Sequence, residues 1–232
     1  MAISQILDNY QRVLARIQTA AIQAGRKPEE IKLVAVSKTV PVAIVQEAVS
    51  NGITLLGENR VQEAKQKFEV IGNNATWHLV GHLQSNKVKP AVSMFELIQS
   101  VDSIELAKEI SNRAQQINKV QNILIEINTS GEETKFGIEP AGLIPMLEQI
   151  SLLSNIRIQG LMTVGPLVPE PELARPSFIQ LRELSEKVKS AGLANIEMHI
   201  LSMGMTGDFE IAIQEGANML RIGTAIFGHR NI

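Results

Sequence analysis

Apolar residues follow two alternating patterns along this chain. Short runs rich in Val, Ile and Leu alternate with longer stretches whose apolar positions recur at helical spacing. The runs are Lys32–Val36, Ile53–Leu56, Thr76–Val80, Phe95–Ile98, Asn122–Ile127, Ile156–Met162, Ile196–Ile200 and Met219–Ile222. Repeated strand–helix units build parallel sheets, and eight successive alternations favour a closed barrel over an open sheet.

A further helix precedes the first run. Apolar residues recur at helical spacing from Ile3 to Ile17, and the pattern stops at Gly25. An open doubly wound sheet would require a glycine-rich phosphate loop after its first strand, and the segment from Ser37 to Pro41 contains no glycine. We therefore expect one domain over residues 1–232, a single-domain (β/α)8 TIM-type barrel with an extra N-terminal helix.

Composition excludes several classes of function. The 22 Lys and Arg residues nearly balance the 24 Asp and Glu residues, and aromatic residues make up 3% of the chain. These values give no basis for binding nucleic acid or an anionic membrane surface. The chain has no cysteine, so disulfides and thiolate sites are excluded and a cytoplasmic location is expected. Asp8 and Arg12 interrupt the first apolar stretch, which is unlike a signal peptide or a membrane span. No metal-ligand spacing is present.

The loops after strands seven and eight combine glycines with hydroxyl residues. In barrels of this class, working residues lie at the carboxyl ends of the strands, and these two loops commonly bind phosphate. Ser202 and Thr224 with nearby backbone N–H groups are therefore candidates for a phosphate site. Ordinary turn chemistry is the alternative for each loop taken singly.

Lys38 follows the first strand and continues the face of Val34 and Val36. A loop lysine is usually solvated. If this face lines the barrel, however, the amine lies at its mouth, where partial desolvation makes a lysine a usable nucleophile for an aldehyde. Such an amine can form a Schiff base.

Arg221 lies inside the last strand, where a charge needs an acceptor. Pairing with a carboxylate, Glu126 or Glu197, is one interpretation. The other is that Arg221 faces the pyridine nitrogen of a cofactor, which it would keep unprotonated because a guanidinium retains its protons.

Several sequence blocks, taken in order, resemble the YggS/PROSC family of pyridoxal phosphate homeostasis proteins. The blocks are Val34–Thr39, Leu56–Glu63, Trp77–Lys87, Leu201–Met205 and Arg221–Gly228. The resemblance implies a fold like the N-terminal barrel of alanine racemase, with pyridoxal 5′-phosphate (PLP) attached to Lys38. It further implies phosphate contacts at Ser202, Gly223, Thr224 and the backbone of Met203, Arg221 at the pyridine nitrogen, and Asn59, His82 and Met162 near the cofactor. A rim histidine and a core methionine are the alternatives for the last two.

The resemblance also implies a non-catalytic monomer that buffers PLP or delivers it to apo PLP enzymes. A small PLP-dependent amino-acid racemase is the alternative. Alanine racemases take their second base, a tyrosine, from another domain, whereas the single tyrosine here, Tyr10, lies in the leading helix. A Schiff-base aldolase is a remoter interpretation. We expect His199 to be a core histidine and Glu58 to lie at a helix start.

Overall fold

The predicted runs form the eight strands of one closed parallel barrel in the computed structural model, which describes residues 2–132 and 134–228. Each strand pairs with the next, and β8 closes on β1. The strands are β1 Lys32–Val36, β2 Leu55–Glu58, β3 Thr76–Leu79, β4 Leu97–Val101, β5 Gln121–Glu126, β6 Ile156–Met162, β7 Ile196–Ser202 and β8 Met219–Ile222. The barrel expected from the alternation is confirmed.

Helices surround the barrel. They are α1 Ile3–Gln23, α2 Val42–Ser50, α3 Val61–Ile71, α4 Val88–Met94, α5 Ile104–Gln116, α6 Leu143–Ile150, α7 Arg175–Ala191, α8 Phe209–Gln214 and α9 Thr224–Phe227. The local sequence sets their ends: Ser103 caps α5 by accepting the N–H of Leu106, and α7 stops at Gly192, which has a φ of +61°. Within the described residues, no helix is long and apolar enough to span a bilayer.

The helix α1 is the predicted extra N-terminal helix. It packs against α8 and α9 on the outside of the barrel. Asn9 Nδ2 donates to the carbonyl of Ile226 at 3.0 Å, and Arg16 Nε donates to Glu210 Oε1 at 2.8 Å. The leading helix is therefore tied to the last turns of the chain that follow β7 and β8.

Alternation along the strands divides the apolar side chains between two cores. The larger core fills the space between the strands and the helices and contains Leu33 and Ala35 of β1. The smaller core lies inside the barrel. Its members are Val34, Leu97, Leu124, Met162, Ile200 and Met219. Because the side-chain period of a strand is two, Val34 faces inward while its neighbours face the helices.

Five strands differ from their predicted bounds. β3 ends one residue earlier, β5 begins and ends one residue earlier, β7 ends two residues later, and β2 and β4 are shifted along the chain by two to three residues. β2 extends through Gly57 to Glu58, and β4 starts at Leu97 and ends at Val101. Gly57 lies inside the barrel, where a Cβ atom would lie 2.8 Å from Val34 Cγ1 and 3.2 Å from Val36 Cγ2. A larger residue would therefore collide with β1, so a residue that usually weakens strands is accommodated here by close packing.

Candidate functional site

Polar side chains from four strands form a continuous hydrogen-bonded chain across the barrel interior. Arg221 Nη1 donates to Ser202 Oγ at 2.6 Å, and Ser202 donates to Gln99 Oε1 at 2.6 Å. Gln99 Nε2 lies 3.1 Å from His78 Nδ1. The Gln99 amide nitrogen can only donate, so His78 Nδ1 must accept.

Arg221 is buried, with 5% of its surface exposed. Its Nη2 donates to the carbonyl oxygen of Thr163 at 2.6 Å. Desolvation lowers the pKa of Arg221 to about 10, against the influence of Glu126 and Asp208. The guanidinium therefore stays charged at neutral pH, and its described hydrogen bonds go to neutral oxygens. The proposed pairing with Glu197 is wrong, because Glu197 is exposed and lies 3.7 Å from Arg157.

Glu126 lies at the end of β5 on the interior face that it shares with Leu124. It is 6% exposed, and its Oε2 atom is buried without a hydrogen-bond partner among the described residues. Burial raises the pKa of Glu126 to about 7; the charge of Asp102 raises it further, and Arg221 lowers it. Glu126 thus acts on Arg221 through space.

His78, at the other end of the polar chain, is also buried. Desolvation lowers the pKa of His78 to about 3, with a smaller contribution from Lys32. The imidazole is therefore neutral under ordinary conditions, as required for its Nδ1 atom to accept from Gln99.

Lys38 lies directly beyond β1 and is partly buried. The preceding residue, Ser37, faces outward and donates its hydroxyl hydrogen to Glu58 at 2.6 Å. Alternation therefore places Lys38 on the inward face of Val34 and Val36. The neighbouring strand β8 is in register, with Val34 beside Arg221, so Lys38 and Arg221 belong to adjacent walls of the same interior, with Lys38 nearer to the mouth.

Gly223 and Thr224 lie at the same end of the barrel, beyond β8. A Cβ atom at Gly223 would lie 2.9 Å from the carbonyl oxygen of Val36, so only glycine fits this close approach to β1. Among the described residues, the Gly223 N–H has no hydrogen-bond acceptor. Thr224 is exposed and begins α9. The N–H of Met203, by contrast, donates to the Met219 carbonyl at 3.2 Å.

Asn59 and His82 lie on the other side of the mouth. They line an open cleft of about 520 Å³ together with Arg60, Val61, Gln62, Gly81, Gln84 and Lys87. His82 Nδ1 is 3.3 Å from Asp102 Oδ2, and the ring stacks on Phe136 with centroids 4.0 Å apart and planes 12° apart. His82 is therefore a rim residue. Met162 is fully buried in the inner core.

Sequence reasoning missed the interior polar chain and misplaced two residues. Gln99 and His78 were overlooked, although both occupy inward positions of strands where a polar residue is unexpected. Glu58 does not begin a helix: it is the last residue of β2, fully buried, and its Oε1 lies 2.6 Å from Lys67 Nζ. His199 is not a core histidine, because its side chain is 55% exposed.

The fold and the mouth define a barrel protein of the alanine racemase type. The family model described as alanine racemase, N-terminal domain, matches residues 7–231. A pyridoxal phosphate homeostasis protein of Aquifex aeolicus is 45% identical over 224 residues, which cover 96% of this chain and 97% of that protein. The chain therefore belongs to the alanine racemase N-terminal domain family and, within it, to the pyridoxal phosphate homeostasis proteins.

Solved structures agree with this assignment. PipY of Synechococcus elongatus, in a structure with PLP bound, is 34% identical with a TM-score of 0.81, and the match covers 92% of this chain and all of that one. An alanine racemase of Clostridium difficile is 19% identical with a TM-score of 0.77, and 61% of its chain is covered. The similarity to the racemase supports only the assignment of the fold.

Proposed function

We propose that this protein binds PLP covalently through Lys38 and buffers or delivers it within the cell without robust catalysis. The observation that carries this proposal is the register of β1 with β8, in which Val34 lies beside the buried, charged Arg221. Lys38 continues the face of Val34 just beyond the end of β1. When bound, PLP supplies an aldehyde that reacts reversibly with amines and a pyridine ring that can accept electrons.

The described residues fit such a group. The Gly223 N–H without an acceptor and the exposed Thr224 are suited to hold the phosphate at the end of β8. Ser202 and the backbone of Met203 would complete this site, although the Ser202 hydroxyl donates to Gln99 and the Met203 N–H donates to Met219. These two phosphate contacts stay predictions.

Arg221 would face the pyridine nitrogen, with Asn59 beside the ring, His82 at the rim and Met162 beneath the site. Because a guanidinium keeps its protons, the pyridine nitrogen would accept a hydrogen bond rather than gain a proton. An unprotonated ring withdraws electrons weakly and so disfavours carbanion chemistry. This supports a carrier rather than a catalyst.

The relatives give independent support. Proteins with up to 45% identity are named for pyridoxal phosphate homeostasis, and PipY was solved with PLP bound. A racemase would need a second base on the opposite face of the substrate. Tyr10, the single tyrosine, lies in α1, which packs against α8 and α9 outside the barrel. No described feature favours the racemase.

We further infer that residues 1–232 act as one domain and as a monomer in the cytoplasm, where apo PLP enzymes would receive the cofactor. The absence of cysteine is compatible with a reducing compartment, and the net charge of −2 gives no basis for nucleic acid or membrane partners.

The decisive experiment combines absorbance with mass analysis. Purified protein incubated with PLP should show the visible band of a lysine imine, and borohydride reduction should place the added mass on the peptide containing Lys38. Lys38→Ala should lose both signals, whereas the exposed control Lys65→Ala should keep them. Absence of the band in wild-type protein, or steady exchange of amino-acid Cα hydrogens well above free PLP, would overturn the proposal.

A further inference from the structure

A buried group of charges lies directly behind Lys38, on the outer side of the barrel wall. Lys67 of α3 is 1% exposed. Its Nζ atom donates to the carbonyl oxygen of Ser37 at 2.6 Å, to Glu58 Oε1 at 2.6 Å and to Glu63 Oε1 at 2.8 Å. An ammonium has three hydrogens to donate, so these contacts use all of them.

This cluster holds the backbone on both sides of Lys38. Lys67 binds the carbonyl of Ser37, the residue before Lys38, and Glu63 accepts the N–H of Thr39, the residue after it. Glu58 also accepts from the Ser37 hydroxyl at 2.6 Å. Both peptide groups that determine the direction of the Lys38 side chain are therefore fixed by a single cluster of charges.

The backbone at this point needs such support. Thr39 has a φ of +65°, in the left-handed region that non-glycine residues rarely adopt. A β-branched residue in this conformation is strained, and it persists only where surrounding contacts hold it. The contact from Glu63 to the Thr39 N–H holds the backbone at this residue.

Stability alone is a weak reason for burying these charges. Desolvation raises the pKa of Glu58 above its ordinary value, although Lys67 and Ser37 oppose the shift. In addition, Glu58 Oε2 is buried without a partner among the described residues. Well-packed apolar residues of similar volume are commonly as stable as a buried ion pair. Burying this cluster therefore costs free energy, and a role in positioning Lys38 would explain why the charges are present.

We propose that Lys67, Glu58 and Glu63 are positioning residues that hold the Lys38 amine where it can attack the aldehyde of PLP. The inference rests on the proposed function and deepens it. In the step concerned, Lys38 Nζ forms a C=N bond with the aldehyde carbon; the amine gives up two hydrogens, and the aldehyde oxygen leaves with them as water. The cluster contacts neither reactant and acts through the Ser37–Thr39 backbone.

Two variants test this role. Lys67→Met combined with Glu58→Gln removes the ammonium without leaving a buried carboxylate unpaired. Glu63→Gln removes a charge that is 25% exposed and leaves Lys67 in place. The matched control is Lys65→Met, which removes an exposed ion pair with Glu69 from the same helix. Thermal unfolding confirms that each variant is folded at the temperature of measurement.

Two quantities are then compared. The first is the rate constant of imine formation at saturating PLP, followed by visible absorbance. The second is the affinity for pyridoxine 5′-phosphate, which has an alcohol in place of the aldehyde and cannot form the imine. We expect imine formation to slow about tenfold or more, because small displacements of a reacting group are costly. Affinity for the alcohol should stay within about twofold of wild type, as for a substitution outside the binding contacts.

The outcomes separate this inference from the proposed function. If wild-type protein forms no imine, the proposed function fails. If wild-type protein forms it and both variants react as fast as Lys65→Met, the positioning role fails. A parallel loss of imine formation and of alcohol affinity would indicate a general structural role and would also overturn the inference.

Discussion

Arg221 donates to the Ser202 hydroxyl at 2.6 Å, and that hydroxyl in turn donates its hydrogen to Gln99. Ser202 therefore helps to fix the orientation of the guanidinium, in addition to the phosphate contact expected of it from the sequence. Because Ser202 both accepts from Arg221 and donates to Gln99, the orientation of each of these side chains constrains the next. The buried charge is held by neutral partners.

Gln99→Leu should destabilise the fold. The substitution leaves both the Ser202 hydroxyl and His78 Nδ1 without their partner, and a buried polar group that loses its partner costs about 1–3 kcal/mol. Urea denaturation should therefore show a loss of about 2 kcal/mol or more. Gln115→Leu, at an exposed position of α5, is the control. Equal stability of the two variants would contradict the interior chain.

Glu126→Gln should change how stability depends on pH. The pKa of Glu126 is raised from 4.5 to about 7 by desolvation and by Asp102. The folded state therefore binds the proton more tightly than the unfolded state, and wild-type stability falls as pH rises through this window. The amide variant lacks this loss. Its free energy of unfolding relative to wild type should increase by on the order of 3 kcal/mol between about pH 5 and about pH 8.

The substitution can also change the free energy of unfolding by an amount that is the same at every pH. This amount does not affect the test, since only the change of stability with pH is compared between variant and wild type. Chemical denaturation at several pH values gives the two curves. Parallel curves for variant and wild type would show that Glu126 titrates in the folded state as it does in the unfolded chain.

His78→Asn should have the opposite pH signature. Desolvation lowers the pKa of His78 from 6.5 to about 3. Between these two pH values, His78 binds a proton in the unfolded chain but not in the folded state. Wild-type stability is therefore lost as pH falls from about 6.5 toward about 3. Asn cannot titrate, and its Oδ1 atom can still accept from Gln99. The loss between about pH 7 and about pH 4.5 should be smaller in the variant by roughly 2–3 kcal/mol, as measured by denaturant titration; an unchanged slope would exclude His78 as the source.

Phe136→Ala should speed the release of bound cofactor. Phe136, in the loop after β5, stacks on His82, which follows β3, so the pair closes part of the mouth above β4. Aromatic pairs contribute about 0.5–1.5 kcal/mol, which corresponds to roughly three- to tenfold in rate. Transfer of PLP to excess apo enzyme gives the release rate. Leu167→Ala, at a side chain 98% exposed, is the control, and equal release from both variants would show that the stack does not limit exit.

The sequence predicted the bounds of three strands whose residues are mostly apolar. β1, β6 and β8 have the predicted bounds. The predicted positions of β2 and β4 were shifted because Gly57, Glu58, Gln99 and Ser100 are residue types that usually mark strand ends, yet all four are buried here. Polar atoms among them bind residues of other elements: Glu58 Oε1 binds Lys67 of α3, and Gln99 Oε1 binds Ser202 of β7. Local pattern cannot reveal such partners.

The same limit applies to the site. Lys38 and Arg221 could be singled out as candidates because position in a strand and side-chain parity are properties of one segment. The interior chain could not be, since it exists only once the barrel closes and brings β3, β4, β7 and β8 around one space. His199 was misassigned because β7 changes its pairing register relative to β6 between Ile158 and Gly160.

The hydrogen bond from Asn9 to the Ile226 carbonyl joins the leading helix to α9, the turn that begins with Thr224. This hydrogen bond and the packing of α1 against α9 link the leading helix to the backbone beside the proposed phosphate position. Coupling between two sites is reciprocal, so a ligand bound at the mouth of the barrel would change how strongly α1 is held against α9.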